Sequence, residues 1–288
     1  MKTRKHGLIA FFLLICIVCA AVLGLLIADK IHSDKEMSEM HDVAYGNSDA
    51  SAEDTTENVV SDTDSSDADA NASLDVTIES DTESTTESGK DSLFVDINAL
   101  QDTNPDIFAW IKVPGTKIDY PVVQHPVDDE YYLKHGADGM SSSYGCPFIE
   151  ACDSKELDQF NTVIYGHNMN DGSMFAGLHD FENQDFYDNH REILICSAEH
   201  VYSYEIFAAV MYSDAYIPGY FDDTVASDRA AFIESLQTDI VPERSILSED
   251  VNVDENSKII TLSTCDRKLR DNRFIVVGVL KKIDGQDV

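Results

Sequence analysis

Lys258–Leu280, KIITLSTCDRKLRDNRFIVVGVL, is the stretch on which the reading of the chain turns. Two runs rich in β-branched residues flank a charged interval, and both read as strands. The first run stops at Cys265 and the second starts at Arg273. Side chains alternate along a strand, so Cys265 shares a face with Ile259, Thr261 and Ser263. The residues from Asp266 to Asn272 suit the loop of an antiparallel hairpin, which returns Arg273 beside the strand that delivers Cys265. Arg267, Lys268, Arg270 and Arg273 crowd this turn. Nearby cations favour the thiolate, the nucleophilic form of cysteine.

Outward from this hairpin the pattern repeats. AWIKV, IDYPVVQ, NTVIYGH, EILICS and VYSYEIFAAVMY are further β-type runs, separated by Gly, Pro and Asp. Phe94, Ile97 and Leu100 have helical spacing and meet a stop at Asn104-Pro105, which predicts a short helix. Residues 227–238, SDRAAFIESLQT, predict a second helix with Ser227 as its cap. Many short strands with few helices predict a mainly β fold, a closed or nearly closed barrel with short peripheral helices. An open sheet of such strands would leave edges exposed.

The N-terminal third is different. Residues 7–28, GLIAFFLLICIVCAAVLGLLIA, carry no charge and are long enough to cross a bilayer as a helix. Lys2, Arg4 and Lys5 precede this run, which places the N-terminus in the cytoplasm and the remainder outside. A cleavable signal peptide is the rival reading, but its apolar core is normally shorter. Residues 51–90 contain 27 Asp, Glu, Ser or Thr and no aromatic residue. Such a stretch buries too little apolar surface to offset its ordering entropy. Three regions are therefore expected: an anchor over 1–29, a disordered acidic linker over 30–90 holding the domain off the membrane, and an extracellular domain over 91–288. The chain of 288 residues has 20 Lys+Arg against 54 Asp+Glu, a net charge of −34. That balance argues against nucleic acid as a partner. Beyond the apolar run no C-x-x-C pattern occurs, and H-x-x-x-H occurs nowhere, so neither a metal nor a cofactor is expected.

Four cysteines lie beyond the apolar run: Cys146, Cys152, Cys196 and Cys265. The first three read as packed small hydrophobes. A cysteine nucleophile also needs a group to transfer protons. Among nine histidines, His167 ends the run NTVIYGH and enters the loop NMNDGSM, and His179 follows on a helical turn. A strand end holds a side chain rigidly at a cleft, which suits His167 to acid–base work.

Thr261-Leu262-Ser263-Thr264-Cys265 resembles the TLxTC signature of sortases, with an arginine heading the next strand, and Tyr165-Gly166-His167-Asn168 resembles their histidine segment. NPDIFAWIKVPGTKIDYPVVQ, YYLKHGADG and FNTVIYGHNMNDGSMF look like class B sortases in particular. The resemblance implies a sortase-type β-barrel and a cell-surface cysteine transpeptidase. Cys265 is then the nucleophile, His167 the proton donor and Arg273 the oxyanion stabiliser. Asn168, Ser263, Thr264 and Asp266 are supporting or substrate-contacting residues. The implied partners are secreted proteins with a C-terminal sorting motif and an amine acceptor on the cell wall or another protein, met at the membrane. Two other readings stay open: a secreted cysteine protease that hydrolyses, and a catalytically silent surface-binding module.

Overall fold

A computed structural model describes residues 2–46 and 95–288, with side chains from residue 14 onward. The described chain holds five α-helices: α1 (Lys2–Ala44), α2 (Ile97–Thr103), α3 (Gln184–Asn189), α4 (Ile217–Tyr220) and α5 (Ala226–Thr238). Its nine strands are β1 (Ile107–Lys112), β2 (Asp119–Val123), β3 (Asn161–Tyr165), β4 (Glu192–Ser197), β5 (Val201–Ser213), β6 (Ile246–Leu247), β7 (Ile259–Cys265), β8 (Asn272–Ile283) and β9 (Gln286–Asp287). Every β-type run read from the sequence is a strand.

One sheet runs in the order β2-β1-β4-β5-β8-β7-β3, with β6 beside β5 and β9 beside β8. All pairs are antiparallel except β3 with β7. The two ends of the sheet meet through Phe148. Its N–H donates to Tyr165 O and its carbonyl accepts from Tyr165 N, while Val123 N donates to Pro147 O and Ile149 N to Val123 O. That short segment covers both edge strands, the liability a mainly β sheet has to manage. Leu262, Val276, Ile193 and Ile206 lie in the interior with no exposed surface. On the outer face α5 lays Phe232 and Leu236 against Val277 and Tyr212.

Two local expectations differ from the structure. Helix α5 starts at Ala226, so Ser227 lies inside its first turn and caps nothing. Asp228 occupies that turn, where a carboxylate favours the helix dipole. The larger difference is at α1. Residues 30–44, expected to belong to the linker, continue the apolar helix and pack on the barrel. Ser33, Glu36, Met40 and Ala44 are buried at helical spacing, and Met37 packs partly beneath them. This narrow stripe is masked in composition by the charges on the other face of the helix. Asp29 accepts from the Ser143 hydroxyl, Lys30 pairs with Asp171 at 2.7 Å, and Tyr45 donates to Asp119 at 2.9 Å. Residues 47–90 of the expected linker lie outside the described residues. Among the described residues α1 alone is long and apolar enough to cross a membrane, with a window of mean hydropathy 2.5.

Candidate active site

Strands β3 and β7 run parallel, pairing Val163 with Thr261 and Tyr165 with Ser263. Parallel neighbours end at the same rim, so the residues following each strand emerge side by side. His167 leaves β3 two residues past its end and Cys265 closes β7. The β7–β8 ladder then pairs Cys265 with Arg273 across the hairpin, the register expected from alternation. All three line one cleft of about 790 Å³, together with Ser263 and Thr264. Cys265 is exposed there, whereas Ser263 and Thr264 are buried in the floor.

Each of the three is held by specific contacts. His167 Nε2 is 2.8 Å from the carbonyl oxygen of Leu133. A carbonyl only accepts, so Nε2 carries a proton and Nδ1 is left to exchange one. The approach is close: a Cβ on Gly145, which has φ +64°, would lie 3.1 Å from the His167 ring and 2.5 Å from Tyr132 O. Only glycine fits both the space and the backbone there. Arg273 Nη1 donates to the carbonyls of Arg270 and Asn272 at 3.3 and 3.1 Å. No carboxylate pairs with this guanidinium among the described residues, although Asp128, Asp129, Glu130, Glu150 and Asp214 line the same cleft.

Asn168 and Asp266 do not reach the cleft. They face the opposite side of the Cys265 loop, in a hollow shared with His179, Glu182 and Arg244. Asn168 donates to the Cys265 carbonyl at 2.8 Å, and Thr264 Oγ1 donates to Gly166 O at 2.7 Å. Both bonds tie the histidine loop to the cysteine strand. Asp266 accepts from Arg244 at 2.8 Å and from the N–H groups of Lys268 and Leu269. Arg244 also clasps Glu182, whose Oε1 lies 2.8 Å from His179 Nδ1. His179 in turn stacks on Phe274, the residue after Arg273. His179 therefore braces the loop from behind. Arg244 and Glu182 were missed by the sequence reading because they lie outside every motif and join the site only through the fold.

Arg267 lies in the loop between β7 and β8 but is held in place. Instead of a mobile loop charge, it donates to Asn168 Oδ1 at 2.9 Å and to Met169 O, because the β3–β7 pairing brings the two loops together. Cys146, Cys152 and Cys196 are free thiols. Cys146 and Cys196 are buried, and burial pushes both thiols up. Cys152 is pushed up to about 11 by burial and by Asp153, Glu150 and Asp129. None of these three shares the cationic surroundings of Cys265.

A family model for the sortase domain matches residues 111–281. The chain is 34% identical over 187 residues to Sortase B of Listeria monocytogenes, spanning 64% of this chain and 74% of that protein. It is 30% identical over 189 residues to Sortase B of Staphylococcus aureus, with the same coverage of 64% and 74%. Clostridium perfringens sortase B superposes with a TM-score of 0.58 at 27% identity, over 64% of this chain and 99% of that one. A Staphylococcus aureus sortase B–substrate complex gives 0.56 at 28% identity, over 65% and 84%.

Proposed function

The chain belongs to the sortase family as a class B member, a cysteine transpeptidase, and from that premise we propose that it cleaves a C-terminal sorting motif at its threonine and transfers the protein to a cell-wall amine. The observation that carries this reading is the convergence of Cys265, His167 and an unpaired Arg273 on one cleft rim.

The Cys265 thiolate attacks the threonine carbonyl, and the C=O electron pair moves onto oxygen. Arg273, with Nε and Nη2 free of protein acceptors among the described residues, stabilises that oxyanion. The tetrahedral adduct collapses as the C–N bond breaks, and His167 gives its proton to the departing amine. An acyl-thioester on Cys265 remains. An amine then enters, loses a proton to His167 and displaces the thiolate, which forms the new amide and restores the enzyme. Asn168 and Thr264 keep the two loops in register while this happens.

The apolar run of α1 supports a single-pass anchor with the N-terminus in the cytoplasm and residues beyond 30 outside. Substrate and acceptor confined to the same membrane plane meet at raised effective concentration. The test is a panel of labelled sorting-motif peptides, incubated with and without an amine and read by product mass. Amide product with amine present is expected. Hydrolysed peptide alone, at every amine concentration, would favour the protease reading, and the absence of any cleavage or thiol adduct would favour the silent module.

A further inference from the structure

Away from the cleft, α1 meets the turn at Gly136–Gly139 along a seam that the chemistry above does not use. His32 and Glu36 stand one helical turn apart on α1, so both project from one face. Asp138 faces them from the turn. His32 Nε2 is 3.2 Å from Asp138 Oδ2, yet this nitrogen is buried and makes no hydrogen bond. Glu36 is 5% exposed, and its Oε1 accepts the Asp138 backbone N–H at 3.2 Å. One nitrogen or oxygen from each of the three lies within 4.8 Å of the others. Lys35, the lysine lining the cavity of about 370 Å³ at this seam, pairs instead with Glu39 at 2.9 Å. A buried ring nitrogen that approaches a carboxylate without bonding it, beside a second buried carboxylate, is the arrangement of groups directed at a common centre.

We propose that His32, Glu36 and Asp138 form a zinc-class divalent-cation site that clips α1 to the catalytic domain. Zinc bonds nitrogen and oxygen ligands at about 2.0–2.2 Å, which puts neighbouring ligand atoms of a tetrahedron roughly 3.3 Å apart. The His32–Asp138 separation already has that value. Calcium and magnesium need a larger set of oxygen ligands than two carboxylates supply, and imidazole favours zinc over either. No sequence pattern reveals the site, because its third ligand arrives 102 residues after Glu36. An ion bound only when helix and turn are together stabilises the docked state by mass action.

The test is titration of the full chain in detergent micelles with Zn²⁺, and with Ca²⁺ in parallel, by calorimetry, with amide exchange followed over residues 29–44. The expected result is one Zn²⁺ site whose affinity falls at least about ten-fold in both His32→Gln and Asp138→Asn. Zn²⁺ should also slow exchange along α1 in the unmodified chain and not in these variants, and Ca²⁺ should do neither. Asp138→Asn alters the turn side alone, so the outcome does not hang on the helix variant keeping its docking. Zn²⁺ affinity unchanged in both variants, or no binding below about 100 μM, overturns the proposal. So does a bound ion that leaves exchange along α1 unaltered.

Discussion

Among the described residues Arg273 has no carboxylate partner, although the chain is strongly acidic, and that is the clearest chemical signal at the scale of single residues. Its Nη1 is occupied by two loop carbonyls, which fix the plane of the guanidinium and aim its other donors. Losing one such donor typically costs about 10²–10³ in turnover. Arg273→Ala and Arg273→Lys are both expected to lose that much in steady-state peptide cleavage, since an ammonium lacks the planar fork. Arg270→Ala should stay near the unmodified rate; a dead Arg270→Ala with an active Arg273→Ala would overturn the assignment. Arg267→Ala should fall between them, because its bonds to the Asn168–Met169 loop are lost. Cys265→Ala should abolish both cleavage and thiol adducts, while Cys146→Ala, Cys152→Ala and Cys196→Ala retain them when folded. Turnover by Cys265→Ala would end the mechanism. The Cys265–Arg273 pairing was legible from the sequence because alternation and loop length are local. The tie between Arg267 and Met169 was not, since 98 residues separate the partners.

At the scale of elements, the short turn carrying Arg244 acts on the active loop without entering the cleft. Burial pushes the Asp266 carboxyl up, but Arg244 and the Leu269 and Lys268 N–H groups outweigh it and hold the group at about 2. That lies below an unfolded aspartate, near 3.9. The stabilisation is thus present above about pH 4 and is lost as pH falls toward 2. Burial raises Glu182 too, and Arg244 with His179 reverses this to leave it lowered, so the loss has the same sign. Arg244→Met should cost about 1–3 kcal/mol at neutral pH, because it strands two carboxylates. The gap in melting temperature between variant and unmodified chain should close as pH drops from 4 to 2. A gap that stays constant across that range would mean these pairs contribute nothing. The strands, the apolar part of α1, and helices α2 and α5 followed from periodicity, but the parallel pairing that ends β3 and β7 at one rim did not. The bracing behind it did not, because Arg244, Glu182 and His179 meet only through tertiary packing.

At the scale of the whole molecule, the docking of α1 links the apolar run directly to the barrel. With residues 29–46 packed on the barrel, the helix itself sets the distance from the apolar run to the domain. Composition misled there because a single buried stripe is diluted by charged neighbours. Protease treatment of intact protoplasts should remove the catalytic domain and spare a protected N-terminal fragment; survival of the full chain beside a protected cytosolic control would reverse the orientation. The acidic lining of the cleft gives a second expectation. Transfer to cationic amines should weaken as salt rises from 0.05 to about 0.5 M, where screening shortens to a few ångströms, and a salt-independent rate would dissociate those carboxylates from acceptor entry. The sheet order carries one more consequence, for biogenesis. β8 lies between β5 and β7, and β7 lies between β8 and β3, so the rim is incomplete until nearly the last residue is available. Synthesis from the N-terminus delivers His167 first, Cys265 later and Arg273 last. The order of synthesis therefore acts as a safety catch: a nascent chain has no complete cleft rim until its final hairpin closes.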